Sequence, residues 1–346
     1  MMIPFSDRLG KAVKNGGFRL RDYWVWCGSA VRGDDDLYHL YASRIPKSLP
    51  FAVHWVTNSE IVHAVSRTPE GPYAFSDVSL PPRDRSFWDG RMTHNPHIHR
   101  VDGRYILFYT ATTYRDDMPD AEHPAQQWSD IHREAMRGQY VGYAVSDSPY
   151  GPWARLDAPI AMPRPGMWDE YMITNPAAYF HPDGRVFVAY KSGRDPDTHG
   201  WPVILKYGML AADGLGPEFT RFSDEPLFSF DDAGVRIEDA FMWYEDGVYQ
   251  MLINDLTGKI TGEDHAGVHA FSRDLKRWAI APAPKAYSRT VSWDDGSVTT
   301  QGSLERPQLL IENGRPTHLI LATADGPGHF SNAQDTWTTV IRLNDR

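Results

Sequence analysis

The chain has a single cysteine, Cys27, so no internal disulfide framework exists. No stretch approaches the ~18 consecutive apolar residues of a membrane span, and a membrane partner is not expected. The N-terminal MMIPFSDRLGKAVKNGG has no apolar core of signal-peptide length, which leads us to expect a cytoplasmic protein. Basic residues are outnumbered, 35 Lys and Arg against 45 Asp and Glu, for a net charge of −10. No basic run offsets that balance, which disfavours nucleic acid as a partner. A glycine-rich phosphate loop, a dinucleotide fingerprint and a nucleophile elbow are all missing. So is any HExxH-type or Cys/His ligand spacing. No cofactor and no metal are therefore expected, although a cation in a central channel stays open.

What the chain does have is aromatics, at 13% of its 346 residues, with 28 glycines and 26 prolines as punctuation. It also repeats itself. Trp88–Pro96 reads WDGRMTHNP and Trp168–Pro176 reads WDEYMITNP. After each copy come a short apolar run, an Asp-Gly turn and a second apolar run. Asp-Gly between apolar runs is a strong hairpin signal, because Gly tolerates the positive φ that the tight turn requires.

The hairpin recurs five times. Its turns are Gly33–Asp36, Asp102-Gly103, Asp183-Gly184, Asp246-Gly247 and Asn313-Gly314. A third and an outer strand follow most hairpins. EIVHAVSRTPEGPYAF (Glu60–Phe75) matches YVGYAVSDSPYGPWARL (Tyr140–Leu156), with weaker echoes at Leu205–Phe222 and Gly267–Ile280. Thr336–Asn344 supplies the last strand. Four strands in each of five units describe an all-β, five-bladed β-propeller. We expect a single domain over residues 1–346, with blades at roughly 22–80, 93–157, 174–223, 237–281 and 305–345. The long loops are Arg44–Asn58, Tyr114–Gln139, with a short helix expected over Asp130–Arg137, and Gly193–Trp201. Such loops on one rim build sites.

Counting back from the turns finds the residues that open each first strand. Asn95, Asp239 and Arg306 lie seven residues before Asp102, Asp246 and Asn313, and Asn175 lies eight before Asp183. In a propeller these strands line the central channel, so their openings converge on one mouth. The expected set is Asn95, Asn175, Glu238-Asp239 and Glu305-Arg306, with Gly28 and Ser29 from blade one. Asp89 and Asp169 are expected on loops feeding the same mouth, with Asp294 and Asp231 in comparable loops. Crowded carboxylates raise one another's pKa, which is what acid/base chemistry across a glycosidic bond needs. Trp88 and Trp168 either stack on sugar faces or pack between blades, and Glu305-Arg306 also reads as a structural ion pair. His54, His63, His94, His97 and His99 read as hydrogen bonders, with His97 and His99 on one side of a strand.

Several segments carry a family likeness: WCGSAVRGDDDLYHLYASR, NSEIVHAVSRTPEGPY, THNPHI, IEDAFMWYEDGVYQMLIND and LERPQLLIENGRPTHL. They resemble the five-bladed propeller glycoside hydrolases of families 43 and 117 over nearly the whole chain. The family 43 pattern implies a base Asp, a second Asp that tunes pKa and an acid Glu, mostly with inversion. This sequence departs from it, with Gly28/Ser29 where the base belongs and Asn95 where an Asp is usual. The resemblance leaves Glu238, Asp239 and Glu305 as acid and modulator, and Asp89, Asp169 or Glu60 as base. Asn95, Asn175, His94, Arg306, Trp88, Trp168 and Glu60 are the candidate substrate contacts. The family 117 likeness implies exo-action on a small oligosaccharide. A non-catalytic sugar-binding propeller, a glycoside phosphorylase and a protein-interaction propeller are the alternatives.

Overall fold

The computed structural model describes residues 3–200, 203–228, 230 and 234–344. Asp231 and Trp201 lie outside the described residues. The chain forms five four-stranded antiparallel sheets arranged as a β-propeller, with a small extra hairpin at Thr290–Ser292 and Val298–Thr300. The innermost strands are Tyr23–Arg32, Met92–Val101, Thr174–Phe180, Ile237–Glu245 and Ser303–Glu312. Blades one to four run outward in chain order. Three of the hairpin tips have positive φ at both central residues: Asp102-Gly103, Asp246-Gly247 and Asn313-Gly314. That conformation matches the right-handed twist of the strands it joins. The expected helix is present at Asp130–Arg137.

Blade five differs from expectation. Its outermost strand is not downstream but N-terminal: Leu9–Ala12 pairs with Thr336–Leu343, joining Leu9 to Leu343 and Ala12 to Ile341. The ring is closed by its two chain ends sharing one sheet. Asp294 belongs to this closure rather than to the channel mouth. It sits in the tip of the small hairpin and accepts the Lys14 backbone N–H at 2.9 Å.

Apolar side chains fill the wedges between blades. Tyr41, Ile61, Tyr105 and Leu107 pack blade one on blade two, and Ile106, Phe108, Val188 and Leu210 pack two on three. Met209, Met242, Met251 and Val268 join three to four, and Trp243, Leu252, Leu309 and Leu321 join four to five. Val25, Leu40, Leu310 and Ile320 complete the circle. The inner strands are left to face one another across the axis.

The inner strands of blades two to five start well before the apolar run suggests, because every inner strand crosses a bulge near its opening. The pairing register slips between Trp26 and Ser29, His94 and His97, Thr174 and Ala177, Glu238 and Phe241, and Glu305 and Gln308. At each slip one non-glycine residue takes a left-handed conformation: Cys27 (φ 61°), Asn95 (54°), Asn175 (54°), Asp239 (65°) and Arg306 (58°). A bulge re-aims a side chain, and here five of them aim at the axis.

Candidate functional site

The five bulge residues meet. The Cys27 thiol donates to Asn95 Oδ1 at 3.0 Å, Asn95 Nδ2 to Asn175 Oδ1 at 2.7 Å, and Asn175 Nδ2 to Asp239 Oδ1 at 2.8 Å. Arg306 Nη1 closes on the same oxygen at 2.9 Å. This axial ring pinches the channel to a space of about 20 Å³. Asn95, Asn175, Asp239 and Arg306 thus stand where the count back from the turns places them. The blade-one member is Cys27 and not Gly28 or Ser29. Gly28 packs against Thr338 and Ile320, and the Ser29 hydroxyl accepts the Ile98 backbone N–H. Burial pushes the Cys27 thiol up to about 12, so it is a hydrogen donor and not a thiolate.

Beside the ring lies the carboxylate cluster. Glu238, Asp239 and Glu305 each offer an oxygen, all within 4.8 Å of one another. Each acid has its own cationic partner: Lys191 Nζ is 2.6 Å from Glu238 Oε2, Arg306 holds Asp239, and His265 Nδ1 is 2.7 Å from Glu305 Oε1. Glu305 and Arg306 therefore do not pair with each other. These environments drive the groups apart. Burial pushes the Asp239 carboxyl up to about 7, with the charges of Glu238 and Glu305 adding and Arg306 pulling the other way. Burial would raise Glu238 too, but the Lys191 ammonium and Arg306 outweigh it and hold that carboxyl at about 2. Burial would lower His265, yet the hydrogen bond and charge of Glu305 prevail and raise it. Among the described residues Asp239 Oδ2 accepts no hydrogen bond, which leaves it the place for a proton. One acid ionised and one protonated near neutrality is the division of labour that acid/base catalysis requires.

His94 stands at the wall. Its Nδ1 is 2.7 Å from the Ser59 hydroxyl and its Nε2 is 3.9 Å from Cys27 Sγ. Burial, reinforced by Arg306 and Lys191, keeps it neutral. The rim above is built of the long loops, tied by Asn58 Nδ2 to the Pro119 carbonyl and by the Ala125 N–H to His54 Nε2. A larger cavity of about 580 Å³ opens at the opposite, hairpin-side mouth, lined by Arg32, His99, Phe180, Phe241 and Trp243.

Five expected site residues lie elsewhere. Asp89 is fully buried and accepts from Arg83 Nε at 2.6 Å, Arg155 Nη1 at 3.3 Å and the Tyr109 hydroxyl at 2.9 Å. Asp169 repeats the arrangement with Arg164 at 2.8 Å, Arg221 at 3.2 Å and Tyr190 at 2.8 Å. Neither reaches the cluster, because these partners take their oxygens between blades. Trp88 stacks on Tyr109 and donates to the Leu156 carbonyl, and Trp168 stacks on Tyr190 and donates to the Asp224 carbonyl. Both are packing residues. Glu60 is tied to Arg44 at 2.7 Å on the second and third strands of blade one, so it is not available as a base. His63 hydrogen-bonds to His39 and Asp77, and His97 Nδ1 accepts the Ala178 N–H, whereas His99 Nε2 is buried without a partner among the described residues; His97 and His99 lie side by side at 4.4 Å.

Lys191, His265 and Cys27 escape a search for acids. Lys191 lies in the apolar strand VFVAYKS (Val186–Ser192), where a lone charge is a signal, and Cys27 obeys the seven-residue count from Asp34. His265 has no comparable mark.

No family model matches the chain, and no curated protein does. Solved structures do. One described as a glycoside hydrolase superposes with TM-score 0.69 at 14% identity, over 98% of this chain and 93% of the other. A family 117 glycoside hydrolase of Zobellia galactanivorans gives 0.62 at 15%, over 97% and 89%. A family 43 β-xylosidase/α-arabinofuranosidase from a compost metagenome, in complex with xylotriose, gives 0.60 at 17%, over 99% and 96%. At such identities the likeness is one of fold.

Proposed function

We propose that this chain is a glycoside hydrolase acting on the end of a small oligosaccharide. One observation carries the reading: three carboxyl groups from blades four and five meet beside the axial ring, with Glu238 held ionised and Asp239 pushed toward its protonated form. The fold's company of glycoside hydrolases supports it. Exo-action is supported by the pinch, which makes this mouth a dead end instead of a through-groove.

Glu238, kept ionised by Lys191, is the nucleophile in this reading, and Glu305 is the acid/base, with His265 as its proton source. Glu305 protonates the leaving oxygen while Glu238 attacks the anomeric carbon. Water, giving its proton back to Glu305, then releases the sugar. Asp239 touches neither bond and sets the charge of its neighbours. The family resemblance implies inversion. One oxygen of each acid lies within 4.8 Å of the others, so the carboxyl groups are close neighbours. Close neighbours suit direct attack by Glu238, and the product anomer distinguishes that course from the inversion the resemblance implies.

The test is hydrolysis of a panel of aryl glycosides, with the product anomer read by NMR. Glu238→Gln and Glu305→Gln should each lower kcat at least ~10²-fold, with melting temperatures close to wild type. Full turnover in both variants would refute the assignment. A second reading, sugar binding without cleavage, is favoured by Cys27 standing where an acid would complete the set. It predicts a sugar-dependent thermal shift with no turnover on any substrate. A phosphorylase fits less well, because the cations that a phosphate would need, Lys191 and Arg306, are already engaged by Glu238 and Asp239.

A further inference from the structure

His265 faces away from the carboxylate cluster as well as toward it. Its ring stacks on His329, centroids 3.8 Å apart, and Asp264 stands beside both. One ring nitrogen from each histidine and a carboxylate oxygen of Asp264 lie within 4.8 Å of one another.

The hydrogen bonds fix how these rings are presented. His329 Nδ1 is 2.8 Å from the Gly302 carbonyl oxygen, and His265 Nδ1 is 2.7 Å from Glu305 Oε1. A carbonyl only accepts, and a carboxylate does the same, so each Nδ1 carries a hydrogen, and in the neutral ring each Nε2 is a lone pair. His329 Nε2 nevertheless lies 3.2 Å from Asp264 Oδ2, an acceptor facing an acceptor. Only a second proton on the imidazole or a cation shared between the two satisfies that contact.

A metal ion resolves the conflict. Two ligands at ~2.0–2.1 Å on a tetrahedral ion stand about 3.3 Å apart, and the His329–Asp264 contact has that length. Both histidines already carry the outer partner, a carboxylate or a backbone carbonyl on Nδ1–H, that orients metal-bound imidazoles. Arg289 Nη2 holds Asp264 Oδ1 at 3.2 Å and leaves Oδ2 turned to the rings. Its charge works against a dication, and the carboxylate of Glu305 behind His265 works for one. Two imidazoles and one carboxylate select zinc and its cobalt and nickel congeners over calcium or magnesium, which favour all-oxygen shells.

We propose that Asp264, His265 and His329 form a binding site for a divalent transition metal of the zinc class. The site uses neither Glu238 nor Asp239 but shares His265 with the carboxylate cluster, Nδ1 toward Glu305 and Nε2 toward the ion. The ligands come from loops of different blades, which is why no motif spacing announces them.

The experiment is titration of the chelator-treated full chain with Zn2+ by calorimetry, and with Co2+ by visible absorption. One ion per chain is expected, with intense d–d bands at low coordination number and no competition from excess Ca2+. His329→Ala and Asp264→Asn should each weaken binding by at least about tenfold. Their thermal melts without metal should match the wild type, which keeps loss of a ligand distinct from loss of fold. No binding at ~1 mM Zn2+, far weaker than metal sites of this kind, would overturn the proposal. So would binding equally tight in both variants, which would put the ion elsewhere, or displacement of Zn2+ by Ca2+.

Discussion

Asp239 is the end of a chain of donors that starts at the Cys27 thiol and runs through two amides. All that polarity arrives on one oxygen, Oδ1, and the other oxygen keeps no partner among the described residues. A carboxyl so placed binds a proton more tightly folded than unfolded. Its ordinary value is 3.8 and its folded value about 7, so within that window the native state holds a proton that the unfolded chain has released. Stability must then fall as pH rises through it. His265, raised above its ordinary 6.5, adds to the loss above that pH. Glu238 acts with the opposite sign, but only between about 2 and 4.5. Melting temperatures should therefore decline from pH 5 to pH 8, and Asp239→Asn should flatten the decline. Thermal denaturation at constant ionic strength checks this. Parallel curves for the two proteins would show that Asp239 stays ionised throughout.

At the scale of the element, the repeated Trp-Asp is a staple. Asp89 and Asp169 each tie a loop to an arginine of the blade's outer strand and to a tyrosine of its second strand. Asp89→Ala leaves Arg83, Arg155 and the Tyr109 hydroxyl without their shared acceptor. Breaking such a buried pair costs ~3–5 kcal/mol, so the melting temperature should drop by roughly 5–15 °C. Turnover per folded molecule should persist at low temperature, the reverse of the pattern expected for Glu238→Gln. Calorimetry and kinetics on the same sample separate the two. The packing role of Trp88 and Trp168 was present in the sequence beside the functional one, but the arginine and tyrosine partners were not, because their distances from the two Asp residues differ: Arg155 lies 66 residues after Asp89 and Arg221 only 52 after Asp169. The axis was legible for a different reason. A tight turn is a fixed origin, and a fixed distance from it meets the bulge in four blades, Cys27 included. The exception is Asn175, where the turn from His181 to Arg185 is longer by one. The pairing of Lys191 with Glu238 and of His265 with Glu305 was not legible, since each reaches its acid only across neighbouring blades.

At the scale of the whole molecule, what holds those blades in register is the closure. A propeller sheet opened at its last blade would expose the N–H and C=O groups of Thr336–Leu343 as a free edge, a template for pairing with other chains. Leu9–Ala12 covers that edge. The turn before it is tied in more deeply: Arg8 is buried, its Nη1 3.0 Å from Glu245 of blade four and its Nη2 3.2 Å from the Pro316 carbonyl of blade five. The Asn344 N–H returns to the Arg8 carbonyl at 2.7 Å. Residues 3–12 thus clamp the two blades that supply Glu238, Asp239, Glu305 and Arg306. Removing them should lower the melting temperature, promote self-association through the bared edge, and cut turnover by loosening the spacing of the acids. Restoring the segment as a separate peptide should recover part of both stability and activity. Light scattering, calorimetry and aryl-glycoside hydrolysis on the truncated chain read the three effects. A truncated chain that stays monomeric and melts with the full one would mean that the ring is held by its inter-blade packing alone.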